Sequence, residues 1–283
     1  MQNLNIKEKL KKIYKFIPGK KLLSCLIRYI FVPKNIHKYL RFWGWFTFDL
    51  EIHKAKMFNY CSDIESQIFW YGIKNGFEKN ELKEWIKYVK TSKVIFDIGA
   101  NTGVYSLVAK ILNTNSKIYA FEPVPRIHKK MRRNFDKNNI EVRCEYYAIS
   151  NKTATAILYD PMGENVTSVA VNKNLTGRDS GFEKLEINTI TIDEYCDLNN
   201  IKKIDLIKID VESHEPEVLE GYKKINLHKP VILCEVWNRE IGEKIEKYVL
   251  TSHYDYFLLN GDKIEKVKDL KLDRFANYLF LPK

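Results

Sequence analysis

The chain has 283 residues, 45% of them hydrophobic and 13% aromatic, which is enough for one large core with a small appendage and excludes a disordered protein. Its net charge of +11 sits at one end: residues 1–60 hold 13 Lys/Arg against three acids, so the rest is near neutral and lacks the basic cleft of a nucleic-acid binder. Five scattered cysteines (Cys25, Cys61, Cys144, Cys196, Cys234) contain no Cys-x-x-Cys pair, which argues against a disulfide framework or a zinc site and for a reducing, cytoplasmic compartment.

In chain order, Ile6, Leu10, Ile13, Tyr14 and Ile17 recur at helical spacing with lysines between them. They predict a basic amphipathic helix stopped by Pro18-Gly19. Lys20 to Val32 holds further apolar residues split by Arg28, too short and too charged to span a bilayer, and the chain does not open as a signal peptide does. Two readings stay open here. One is a helix pair docking on a partner or peripherally on the anionic inner membrane surface. The other is a helical cap with a solvated lysine face. The aromatic cluster from Phe42 to Phe46 serves either.

Residues 46–60 are strand-like and lead into the next domain. Asp63 to Tyr71 predicts a helix with Asp63 as N-cap, and Glu78 to Val89 a second with Leu82, Trp85, Ile86 and Val89 on one face. The expected division is a basic helical appendage over 1–59 and a catalytic domain over 60–283.

Val94 to Ile98 is a short apolar run, read as a buried parallel strand. Gly99-Ala-Asn-Thr-Gly103 then makes a tight turn, Val104 to Leu112 shows helical spacing, and a second strand, Ile118 to Phe121, ends in Glu122-Pro123. This is a nucleotide-type βαβ unit. A dinucleotide fingerprint wants a third glycine, and Val104-Tyr105 stands there instead. Asp97, an anion at the strand tip, would repel a pyrophosphate at close range. It suits a ligand with an ammonium and a sulfonium, and S-adenosylmethionine has both. Glu122 can accept hydrogen bonds from the ribose hydroxyls.

Pro125 to Asn138 predicts a helix with proline in its first turn. Glu141 to Ile149 predicts a third strand whose end, Ala148-Ile-Ser150, falls near the adenine. Ala154–Tyr159 and Lys184–Ile190 are strand-like. The polar stretch from Gly163 to Gly181 between them is read as a substrate-facing loop. Ile204 to Asp210 is the next strand, and Asp210, Glu212, Ser213, His214 and Glu215 crowd its carboxyl end, where chemistry belongs. Val231–Val236 is the fifth strand, with Glu235 near its end. Asn238–Leu250 is a helix, and Tyr254–Leu259 with Tyr278–Leu281 form a closing antiparallel pair.

Asp97-Ile-Gly-Ala-Asn-Thr-Gly103, Phe121-Glu-Pro123 and Lys208-Ile-Asp-Val-Glu212 together resemble the FkbM-type family of S-adenosylmethionine-dependent methyltransferases over roughly residues 60–240. Asn101 inside the glycine turn is a mark of that family. The resemblance implies an α/β fold: a doubly wound, Rossmann-like class I methyltransferase sheet with an antiparallel closing strand. It implies O-methylation of a hydroxyl on a small molecule, saccharide or glycan precursor. It implies cofactor contacts from Asp97, Gly99, Asn101, Gly103, Glu122 and Ala148.

A sugar hydroxyl is a weak acid, so a base is needed, and Asp210, Glu212 and His214 are the candidates. His214 has the best ordinary pKa. In the family pattern, however, Asp-Val-Glu-Gly is followed by a variable residue and Glu. His214 therefore holds the variable position, and Ser213 replaces the glycine. No metal is assigned; if one binds, Asp210, Glu212 and Glu235 would hold it through hard oxygen ligands. Two other readings compete: a nicotinamide-dependent dehydrogenase, disfavoured by Asp97, and a catalytically degenerate methyltransferase fold acting as a glycan-assembly or membrane-surface partner.

Overall fold

A computed structural model describes residues 19–28, 40–76, 78–160, 170–171, 182–261 and 263–283. The chain divides into two compact units, residues 1–79 and 80–283. Residues 60–79, grouped with the catalytic domain on sequence grounds, fall within the first unit. The amphipathic helix expected over residues 6–17, the apolar run 29–32 and nearly all of the polar stretch 163–181 lie outside the described residues. No helix among the described residues is long and apolar enough to cross a membrane.

In the first unit, α1 (Lys20–Ile27) precedes an antiparallel hairpin of β1 (Gly44–Leu50) and β2 (His53–Asn59) and then α2 (Asp63–Tyr71). Phe46, Phe48 and Leu50 are buried while Thr47 and Asp49 are exposed, the period-2 pattern of a strand with one covered face. Phe69 of α2 meets that face, with its ring 5.7 Å from Phe46 and 4.6 Å from Phe42, both edge-to-face. Ser62, not Asp63, is the N-cap of α2. Its backbone N–H donates to the Glu65 carboxylate at 3.1 Å and its hydroxyl donates to the same oxygen.

The second unit starts within α3 (Lys79–Val89), whose first residue is the last of the first unit, then β3 (Val94–Ile98), α4 (Val104–Leu112), β4 (Lys117–Phe121), α5 (Pro125–Lys137), β5 (Arg143–Glu145), β6 (Tyr147–Ile149) and β7 (Ala154–Asp160). It continues with β8 (Ala170–Val171), β9 (Glu183–Ile190), α6 (Ile192–Leu198), β10 (Leu206–Ile209), α7 (Glu215–Glu220), α8 (Ile225–His228), β11 (Val231–Val236), α9 (Arg239–Ile245), β12 (Tyr254–Asn260), β13 (Lys263–Val267) and β14 (Ala276–Pro282). The main sheet has the order β13-β12-β14-β11-β10-β3-β4-β5. The strands from β11 to β5 run parallel, whereas β14, β12 and β13 pair antiparallel. Strand order runs one way from β3 and the other way from β10, so the topological switch point lies between them, where ligands bind in open α/β sheets. All four residues of β10 are buried, as a strand covered on both faces requires.

Two expectations need correction. The strand read as continuous over 141–149 breaks at Tyr146: β5 is the edge of the main sheet, and β6 joins a second sheet of order β6-β9-β7-β8. The closing pair gains a third strand, β13, hairpinned to β12.

Candidate active site

Asp97 sits next to the end of β3, 1% exposed, because the apolar neighbours that bury the strand bury it too. Its Oδ2 accepts from the Ser106 backbone N–H at 3.0 Å and hydroxyl at 2.7 Å, while Oδ1 is buried with no hydrogen-bond partner. Burial raises its pKa, opposed first by the Lys208 charge and then by Ser106. Among the described residues it is thus a buried acid with one oxygen waiting for a cation or donor.

The turn after β3 takes three left-handed residues, Gly99 (φ 78°), Asn101 (φ 52°) and Gly103 (φ 86°). At Gly99 a Cβ would collide with the Asp210 carbonyl, and at Gly103 with Phe135 and Met131 of α5. The two glycines are therefore required by packing as well as by φ. The Asn101 N–H donates to Glu122 Oε2 at 3.1 Å and the Val124 N–H to Glu122 Oε1 at 2.9 Å. Burial pushes the Glu122 carboxyl up to about 7 despite these bonds. Ala148 lies in an apolar cluster with Val124, Ile127, Leu158 and Ile187.

On the other side of the switch point, Lys208 of β10 is in register with Asp97. Its ammonium is 2.6 Å from Asp210 Oδ2 and 4.4 Å above the Tyr105 ring. Lys208 belongs to the motif Lys208-Ile-Asp-Val-Glu212, but its spacing assigns it no role. The signal was there, a lone charge inside the buried run Leu206-Ile-Lys-Ile209. After Asp210 the chain makes an unusual turn, with Glu212 (φ 54°) and Ser213 (φ 74°) both left-handed. Glu215 holds this turn: its Oε1 accepts the Val211 N–H at 3.2 Å and the Ser213 N–H at 3.1 Å. Burial pushes the Glu215 carboxyl up to about 8.

His214 makes its contacts outside the Lys208–Asp210 pair. Its Nε2 is 2.9 Å from the hydroxyl of Ser150, expected near the adenine and not beside a candidate base, and its Nδ1 is 3.6 Å from Glu217. Burial lowers its pKa, so the ring is neutral at neutral pH. Glu235 does approach Asp210: burial, then the Asp210 charge, push its carboxyl up to about 10. The Trp237 indole N–H donates to Glu235 Oε2 at 2.8 Å. Among the described residues no three acids, histidines or cysteines are grouped to hold a metal ion, so Asp210, Glu212 and Glu235 do not form a ligand set.

Residues 97–244 match the family model described as the methyltransferase FkbM domain. The hexuronic acid methyltransferase AglP of Haloferax volcanii is 28% identical over 144 residues, 51% of this chain and 56% of that one. The 31-O-demethyl-FK506 methyltransferase FkbM of Streptomyces tacrolimicus is 24% identical over 157 residues, 47% of this chain and 60% of that one. The 2-O-methyltransferase NoeI of Sinorhizobium fredii is 25% identical over 164 residues, 54% of this chain and 67% of that one. The alignments thus span little more than half to two thirds of these relatives' own lengths.

Proposed function

This chain belongs to the FkbM family of methyltransferases, and from that premise we propose that it transfers a methyl group from S-adenosylmethionine to a hydroxyl of a saccharide or glycan precursor. The observation that carries this reading is the buried Asp97 carboxylate at the switch point, with Oδ1 unpartnered. An ammonium satisfies that oxygen, whereas a pyrophosphate would be repelled by it. Glu122 uses one lone pair on each oxygen for a backbone N–H and keeps the others for two ribose hydroxyls. The residues present therefore fit the cofactor: Asp97 would hold its ammonium, Glu122 its ribose, and the Gly99–Gly103 turn would leave room for close backbone approach. When bound, S-adenosylmethionine supplies an electrophilic methyl carbon on its sulfonium.

The protein's task is to hold an acceptor hydroxyl in line and take its proton. Asp210 is the base in this reading. Lys208 fixes Oδ2, which leaves Oδ1 for the proton. Glu212 stands one residue beyond Val211, in a left-handed conformation that needs support from its surroundings, as residues at functional sites do. His214, committed to Ser150, is the weaker candidate. For the first unit, Lys20 and Lys21 beside the largely exposed Leu22 and Leu26 on α1 support peripheral contact with an anionic membrane surface.

Calorimetric titration tests the cofactor assignment. S-adenosylmethionine is expected to bind and NADH is not. Asp97→Asn, which can still accept from Ser106, is expected to weaken cofactor binding at least about tenfold through loss of a charge-assisted pair. NADH binding, or undiminished cofactor affinity in the variant, would overturn the assignment.

A further inference from the structure

Trp237 follows β11 directly, at the carboxyl end of the sheet. Because Ile209 pairs with Cys234, Glu235 stands level with Asp210. The indole N–H donates to Glu235 Oε2, which fixes the ring beside that carboxyl. Phe275 immediately precedes β14, whose Ala276 pairs with Val236, so it reaches the same end of the sheet. The Trp237 and Phe275 rings meet edge-to-face, with centroids 5.7 Å apart and planes at 74°. Trp237 nonetheless is 38% exposed, an anchored aromatic left partly open among the described residues.

We propose that Trp237 and Phe275 form the stacking platform of an acceptor subsite for an uncharged pyranose ring. The proposal rests on the reading above, that the acceptor is a saccharide, and deepens it by placing the ring and fixing its charge. A pyranose has an apolar C–H face, which an exposed indole covers, and a rim of hydroxyls that both donate and accept. Glu235 suits that rim: its carboxyl, held up at about 10 by burial and Asp210, keeps a proton and can donate as well as accept.

Charge selects against an acidic sugar. Asp210 and Glu212 stand at the adjoining strand end, and the nearby cation, Lys208, is bound to Asp210 and set over Tyr105. The arginines that flank the platform in sequence, Arg239 and Arg274, are engaged with Glu243 and Asn260, so among the described residues a uronate carboxylate placed on the platform would meet the Asp210 and Glu212 acids first. In this the subsite departs from what the name of the Haloferax volcanii relative states for that protein.

Saturation-transfer NMR on the full chain tests this, with methyl β-D-glucopyranoside and methyl β-D-glucopyranosiduronate as probes, each with and without S-adenosylhomocysteine. Transfer to the ring C–H protons of the neutral glycoside is expected, and weaker transfer to the uronate. Trp237→Ala is expected to lower glycoside affinity about tenfold, and Trp237→Phe to retain most of it. S-adenosylhomocysteine affinity, read by calorimetry, should be equal in all three proteins and reports that each is folded. Equal glycoside transfer in Trp237→Ala, transfer to the uronate as strong as to the glucoside, or transfer to neither would overturn the proposal. Failure of the cofactor analogue to bind would instead count against the methyltransferase reading, because glycoside contact with Trp237 is read without it.

Discussion

Ser213 occupies a conformation built for glycine. Its φ of 74° follows Glu212 at 54°, and two consecutive left-handed L-residues are costly, at about 1–2 kcal/mol each before compensation. The compensation comes from Glu215, whose carboxyl accepts the N–H groups of Val211 and Ser213 and so holds the turn that presents Asp210 and Glu212. Ser213→Gly should relieve strain without disturbing those bonds, since they use backbone donors. The expected outcome is a gain of about 0.5–1 kcal/mol in urea unfolding, after allowance for the greater freedom of glycine in the unfolded chain. A loss of stability would mean that the serine side chain contributes more than the strain subtracts. The residue that departs from the family pattern is thus one the backbone tolerates rather than demands, unlike Gly99, where any Cβ meets the Asp210 carbonyl.

At the scale of elements, α2 depends on its start. The nine-residue helix Asp63–Tyr71 is too short to persist alone, and its first turn is anchored by the Ser62–Glu65 pair, with Glu65 wholly buried. Ser62→Ala should cost about 1 kcal/mol of the first unit's stability, measurable by thermal unfolding, because the cap is lost and a buried carboxylate loses a donor. An unchanged transition would show that hairpin packing through Phe69 alone holds the helix. Much was legible in the sequence: β3, β10 and β11 as strands, α3 and α5 as helices, and residues 46–60 as strand-like. What was not legible depends on long-range pairing. Nothing local in Glu141–Ile149 marks Tyr146 as the point where the strand leaves one sheet for another. That break is set by β9, some forty residues on, which pairs with β6. β13 escaped because its residues are mostly exposed and charged, an edge strand without an apolar stripe. The site divides in the same way. Asp97, the glycine turn and Glu122 follow from chain order at strand ends. The tie of Lys208 to Asp210, and the turning of His214 toward Ser150, are side-chain choices that spacing does not encode.

Across the whole molecule, the buried acids set a direction for stability against pH. Burial raises Glu122 to about 7, Glu215 to about 8 and Glu235 to about 10, against an ordinary value of 4.5. Between 4.5 and those values the folded chain holds protons that the unfolded chain has released, so these groups make stability fall as pH rises. His128, His214 and His228 act oppositely. Burial lowers all three below 6.5, so they favour the fold above that value and lose the contribution as pH falls through it. The two sets offset each other below about 6.5, and above it the histidines no longer vary while the glutamates still do. The chain without cofactor should therefore lose thermal stability steadily from pH 6.5 to 9, with a fall in Tm on the order of 10 °C for a domain of this size. The slope should ease as Glu122 and then Glu215 titrate. Glu235→Gln, which stays neutral throughout, should make the fall shallower over the whole range from pH 6.5 to 9, by the one proton that Glu235 holds only in the folded chain. Differential scanning calorimetry at fixed ionic strength measures both curves. A Tm that holds constant or rises over this range would show that these carboxyls are ionised in the folded state, with partners enough to keep them so.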